Sequence, residues 1–198
     1  MNISNTLKVI IAIAAIAVFL VGCGATKYNA MVNQEEEVSK AWNNVETQYQ
    51  RRVDLIPNLV NTVKGYAAHE KSTFEAVIAA RAKATQVTVN PENMTPEKLQ
   101  QYQAAQGEIT SALGRLIAIS ENYPDLKANE NFQELQAQLE GTENRINESR
   151  NKFNAAVKTY NVTVRTFPTN IFANIFGFDK KNGFEAEAGA SKAPTVEF

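Results

Sequence analysis

The chain is poor in the residues on which most protein chemistry depends. Its 198 residues hold one cysteine and one histidine. A disulfide framework needs paired cysteines and a zinc finger needs four ligands of these types, so both are excluded. Nucleophile–base catalysis loses most of its partners for the same reason. Neither sign of charge dominates: 20 Lys and Arg stand against 21 Asp and Glu, a net charge of -1. That argues against a nucleic-acid partner, which calls for a basic excess. His69-Glu70 is the only site-like pair. A metalloprotease helix needs two histidines one turn apart, and a di-iron bundle needs Glu-x-x-His, whereas Tyr66 stands three residues before His69. The segment GFDKKNG (Gly177–Gly183) lacks the spacing and the Lys-Ser/Thr end of a phosphate loop. Gly22-Cys23-Gly24 has no third glycine and no preceding strand, and no nucleophile elbow occurs. Asn161-Val162-Thr163 has the form of a glycosylation sequon but falls inside a predicted helix. The reading is of a protein that is not an enzyme and takes no metal or cofactor.

Hydrophobic residues make up 44% and aromatics 9%, enough for a folded body. The length fits one domain, two at most. Residues 1–26 form a separate segment. After Lys8 an unbroken apolar run, Val9 to Val21, ends in Leu20-Val21-Gly22-Cys23, and no charge follows until Lys27. A short positive region, an apolar core and a small residue at a cleavage point describe a secretory signal. The ending also resembles a bacterial lipobox, with Cys23 as the lipidated first residue of the mature chain. An uncleaved transmembrane anchor is the alternative, since Val9 to Thr26 just reaches the roughly 17–25 residues of a span. Either way the body is expected outside the cytoplasm, tethered by its N-terminus to the cell membrane or outer membrane.

From Tyr28 onward apolar residues recur at helical steps: Met31, Val38, Trp42, Val45, Tyr49, Val53, Ile56. Pro57 predicts a kink or short break, with Asp54 capping a new helix. The stripe resumes through Leu59, Val63, Tyr66, Phe74, Val77, Ile78 and Ala84. Thr95-Pro96-Glu97 has the form of a third helix start, a cap, then Pro, then acid, and Pro124 is expected to end that helix. Phe132, Leu139, Ile146, Phe153, Tyr160 and Phe167 fall seven apart. Sustained heptads predict a long fourth helix, about 60 Å from Asn129 to Phe167. Small and polar residues in the second track, Thr142, Ser149 and Ala156, suit a bundle better than a two-stranded coiled coil. The predicted fold is all-α: an elongated antiparallel four-helix bundle over 27–168, kinked near Pro57, behind the N-terminal anchor. An aromatic segment follows at 169–184. It is expected to fold back on the bundle, with insertion into the membrane surface as the runner-up. Residues 185–198 read as a disordered tail.

Glu35, Glu70 and Arg81 interrupt the apolar stripes. Inward charges must be paired or wet, so interhelical ion pairs that fix register are expected, with a ligand or partner groove as the functional alternative. Arg51-Arg52 with Asp54 suggests an ion pair pinning the Pro57 break, or a weak contact with anionic headgroups.

The stretch Tyr28–Glu70, YNAMVNQEEEVSKAWNNVETQYQRRVDLIPNLVNTVKGYAAHE, resembles the LemA family of bacterial membrane-anchored proteins. DLIPNLV (Asp54–Val60), Val63-Lys64-Gly65-Tyr66, Ala80-Arg81, ENYPDLKAN (Glu121–Asn129), the Arg150…Tyr160-Asn161 series and Pro168…Gly177-Phe178 carry the likeness. Phe153-Asn154 replaces a usual Tyr-Asn. The resemblance implies an exported, N-terminally anchored helical bundle and no defined reaction. The expected function is a non-enzymatic, membrane-anchored scaffold or interaction protein of the bacterial cell envelope. Its partners would be membrane lipid through the anchor, an unidentified envelope protein, or a second copy of the chain. The alternative is an accessory factor in membrane remodelling or envelope stress that binds lipid directly.

Overall fold

A computed structural model describes residues 5–185. Among them all regular structure is helical: α1 (Asn5–Lys64), α2 (Lys71–Gln86), α3 (Pro96–Ile119), α4 (Pro124–Lys127), α5 (Glu130–Arg165) and α6 (Thr169–Phe176), with short 3-10 turns at Pro91–Asn93 and Ser120–Asn122. The all-helical expectation therefore holds. The expected tail, but for Glu185, lies outside the described residues, as do residues 1–4 of the anchor segment. The chain forms two compact units. One comprises Met1–Lys40 and Ala156–Lys181, the other Ala41–Ala155 and Asn182–Phe198.

The second unit is an up-and-down four-helix bundle, and its directions follow from its contacts. Along α1, Trp42 meets Phe153 and Arg52 meets Glu143, so α5 descends as α1 rises. Trp42 also meets Tyr102, and Arg52 meets Gln106, so α3 rises with α1. Lys83 pairs with Glu108 while Glu70 accepts a bond from Tyr123, so α2 runs against α3. The core takes Ile56, Leu59 and Val63 from α1, Phe74 and Val77 from α2, Ile109, Leu113 and Leu116 from α3, Leu126 from α4, and Phe132 and Leu139 from α5. Phe184 returns to this unit and stacks 5.7 Å from Trp42, with its backbone N–H and C=O both bound by the Asn154 side chain.

The first heptad track of α5 is buried from Phe132 through Leu139, Ile146, Phe153 and Tyr160, while Phe167 lies beyond the helix and is exposed. In the second track Thr142 is fully buried, its hydroxyl donating to the Gln138 carbonyl within the helix. A small residue with an internally satisfied hydroxyl can face the core without a desolvation cost.

Two expectations about breaks are corrected. The helix does not stop at Asp54–Pro57: α1 runs through Pro57 to Lys64, and Asp54 is no cap but accepts a bond from Gln50. The break falls at residues 65–70, where Gly65 closes the helix with bonds to the Asn61 and Thr62 carbonyls. Likewise α3 ends at Ile119, and Pro124 opens the short α4 instead of closing α3. The α3 start is as expected: the Thr95 side chain accepts from the Lys98 amide, with Pro96 in the first turn. The Pro57 result has a local explanation. Proline lacks the N–H that would bond the carbonyl four residues earlier, that of Val53. Arg81 of α2 supplies the missing donor, its Nε lying 3.4 Å from the Val53 oxygen. A neighbouring helix thus restores a bond that the sequence of α1 removes.

A double-mutant cycle checks this. Arg81→Ala should cost about 0.5–1.5 kcal/mol, the net worth of a hydrogen bond. In a Pro57→Ala background, where the helix supplies its own donor, the same change should cost measurably less. Urea unfolding followed by helical circular dichroism reads both, and equal costs would show that Arg81 does not serve the Val53 carbonyl.

Candidate functional site

In the bundle unit, Arg52 is only 2% exposed, although it sits on the helix that also carries the apolar leader. Its guanidinium joins three helices. One terminal nitrogen donates to Thr110 Oγ1 at 2.9 Å and to Glu143 Oε2 at 3.0 Å. The other donates to Gln106 Oε1 at 2.7 Å and to the Gln106 carbonyl at 3.1 Å. The guanidinium carbon also lies 5.1 Å from the Tyr49 ring centroid. Nε is buried with no bond. A buried ion pair of this kind adds little net stability, because desolvation offsets attraction, but it penalises every helix register that leaves the guanidinium unpaired.

Beside it lies a groove of about 730 Å³, lined by Glu46, Tyr49, Arg51 and Asp54 of α1, Thr88 of the following loop, and Tyr102 of α3. Burial pushes the Glu46 carboxyl above the usual range, a rise partly offset by a hydrogen bond with Trp42. Burial likewise pushes the Tyr49 and Tyr102 phenols upward. The groove thus offers a mixed face of rings, amides and one exposed arginine. Among the described residues no three His, Cys, Asp or Glu side chains converge as a metal site.

The other unit contains the start of α1. Over its apolar 18-residue window only 6% is buried, and this helix is long and apolar enough to cross a membrane. Ile13, Ile16, Val18, Phe19 and Val21 all stand exposed. Immediately after this run, α6 packs on α1. A Cβ on Gly24 would lie 3.1 Å from the Phe172 ring, so glycine is what permits the close approach. Tyr28 stands edge-on to Phe176 and Phe178, with centroids 5.1 and 5.5 Å apart. Gly177 then takes a left-handed conformation, φ 76°, and turns the chain back along α5. There Asn161 grips the Lys181 backbone at both N–H and C=O. Lys181 itself pairs with Glu35 at 2.8 Å and lies over the Tyr160 ring. The Tyr160 hydroxyl is buried with no hydrogen-bond partner. Burial first, then the Glu35 and Asp179 charges, push its pKa up to about 12.

The residues singled out from sequence fall in separate places. Cys23 is a free thiol on α1, half-buried one residue before Gly24. Glu35 pairs with Lys181, Glu70 accepts from the Tyr123 hydroxyl at the α2 start, and Arg81 serves Val53. Arg51 is exposed on the groove. Arg52 is the correction: it is buried against Glu143 and neither pairs with Asp54 nor reaches outward. The reason is helical phase. With α1 unbroken through Pro57, Arg52 stays on the inward stripe between Tyr49 and Ile56. Its partner Gln106 was legible as a polar residue on the apolar stripe of α3, between Tyr102 and Ile109. Glu143 carried no such signal.

These features define an all-helical protein with one N-terminal apolar helix suited to membrane anchoring. The chain belongs to the LemA family, whose profile matches residues 41–198. It is distantly related to magnetosome protein MamQ. MamQ of Magnetospirillum gryphiswaldense (strain DSM 6361 / JCM 21280 / NBRC 15271 / MSR-1) and MamQ 1 and MamQ 2 of Paramagnetospirillum magneticum (strain ATCC 700264 / AMB-1) are each 28% identical to it. Each alignment runs over 187 residues and covers 86% of this chain and 68% of the relative.

Two outcomes follow from the buried polar groups. Arg52→Ala should cost about 3 kcal/mol or more, because α3 and α5 lose the donor they share. Glu143→Gln, which keeps an acceptor at a half-exposed site, should cost about 1 kcal/mol. Chemical unfolding of both variants checks the order, and equal losses would contradict the hub. Tyr160→Phe should leave stability unchanged or raise it, since it removes an unbonded buried hydroxyl. It should also flatten the alkaline limb of stability. A raised phenol holds its proton in the folded chain, so its contribution is complete below the unfolded pKa of about 10 and is lost as pH rises from there through about 12. Unfolding midpoints measured from pH 9 upward read this, and an unchanged slope in Tyr160→Phe would refute it.

Proposed function

We propose that this protein is a non-enzymatic, membrane-tethered scaffold of the bacterial cell envelope. Its apolar N-terminal segment brings it to the bilayer and leaves it tethered there, and the helical body presents surfaces to an envelope protein or to a second copy of the chain. The observation that carries the reading is the bare apolar run of α1. A row of exposed Ile, Val and Phe on a helix otherwise built for packing is costly in water and favourable in lipid. Cys23, closing the Leu-Val-Gly-Cys sequence, is the lipid attachment point in this reading, with the body outside the cytoplasm. A single-pass anchor is the alternative form of the same tether. The groove at Arg51 and Tyr102 is the surface offered to a partner, with register held by Arg52 beneath it.

Crosslinking in living cells at native expression tests the scaffold role, with a photoreactive residue placed at Arg51. A discrete adduct, either with one partner or with a second copy, is the expected result. A chain that yields no adduct at this position or at Gln50 would count against a scaffold. Mass analysis of the mature N-terminus separates the two tethers: an acylated chain beginning at Cys23 supports the lipoprotein, and an intact leader supports the single-pass anchor.

A further inference from the structure

The outward face of α6 has no cover within the described chain. Ile171 is 48% exposed, Ile175 68%, and Phe167 just before the helix 75%. Ile171 and Ile175 lie four residues apart and so share one face. The adjoining face meets α1: Phe172 packs at Gly24, Phe176, itself half-exposed, meets Tyr28, and Ala173 is buried. We infer that this bare face of α6 is a second membrane contact, set into the lipid interface beside the point where α1 leaves the bilayer. The inference rests on the anchoring reading above and adds to it a site and a ligand, the acyl–headgroup boundary of the same membrane.

Placement along α1 selects lipid over other occupants. The apolar run ends at Val21 and the uncharged stretch at Thr26. Phe172 meets α1 at Gly24, and Phe176 and Phe178 meet it at Tyr28. Helix α6 is therefore held within one or two turns of the end of the apolar run, at the depth where aromatic rings favour the interface. That level is the same whether the tether is a lipid on Cys23 or the helix itself, because Gly24 is adjacent to Cys23. The surroundings suit the boundary. Asn174 is exposed on the same side of α6, and Arg165 and Lys180 stand exposed on either side of it, able to reach headgroups while the isoleucines enter the apolar layer. A second protein copy is the weaker occupant. A helix of eight residues, about 12 Å long, offers too little surface for a stable dimer, which needs on the order of 1,200 Å² in total.

The test uses the full chain reconstituted into vesicles of phosphatidylcholine and phosphatidylglycerol carrying brominated acyl chains. Ile175→Trp places an indole on the bare face, and Phe167→Trp separately places one just before the helix. The unaltered chain, with Trp42 alone, gives the baseline. Vesicle co-flotation reports the tether independently. The expected result is co-flotation of all three proteins, with the added emission of both variants blue-shifted and lost to bromine quenching. Co-flotation with unquenched added emission in both variants would overturn the α6 contact and leave the tether standing. Failure to float would overturn the tether and this inference with it. Disulfide crosslinking between copies through Ile175→Cys in a Cys23→Ser chain, together with unquenched emission, would assign the face to a second copy and equally refute lipid.

Discussion

An apolar helix that its own protein does not cover is the constraint from which the rest follows. Among the described residues, eight large apolar side chains between Val9 and Val21 stand more than half exposed. Transfer of each from water to an apolar phase is worth about 1.5–3 kcal/mol, so the set favours lipid by on the order of 10 kcal/mol. That matches the entire stability of a typical domain, about 5–15 kcal/mol. No surface ion pair or loop contact competes with it. On the proposed tether, one N-terminal segment sets the location, and the folded body has only to be compatible with it.

Compatibility is a matter of register. Helices as polar as α5 bury a narrow stripe, and a narrow stripe tolerates sliding. Arg52 removes that freedom in the bundle unit, since its fork fits one alignment of Gln106, Thr110 and Glu143. Aromatic packing of Trp42 against Tyr102, Phe153 and Phe184 fixes the same alignment by shape. In the other unit, the Lys181 ammonium binds Glu35 and caps the Tyr160 ring, tying the returning chain to both α1 and α5. Both units place a cation where an apolar stripe would otherwise be indifferent to position.

Much of this was readable in the sequence because its signals were redundant. The heptads of α5 repeat over five turns of the pattern, and Thr95-Pro96 states a helix start twice, by cap and by ring. The break offered as an alternative to a kink at Pro57 is absent because the rule for proline concerns a helix alone. Its cost is a lost donor, and a donor can come from another helix, which Arg81 does. Once α1 is continuous, the phase of Arg52 changes from a hinge residue to a core residue. A single misplaced break thus accounts for the misread partner. The contact of α6 with Gly24 and Tyr28 was legible only as a cluster of aromatics, since nothing local in sequence says which helix such a cluster will meet.

The most direct measurement is partition of the native chain in cells. Membranes washed with alkaline carbonate and high salt strip proteins held by charge and spare those held by acyl chains or apolar helices. The account predicts that the chain stays with the membrane through both washes, and that a chain beginning at Lys27 is released. Full recovery of the intact chain, leader included, in the soluble fraction would contradict it.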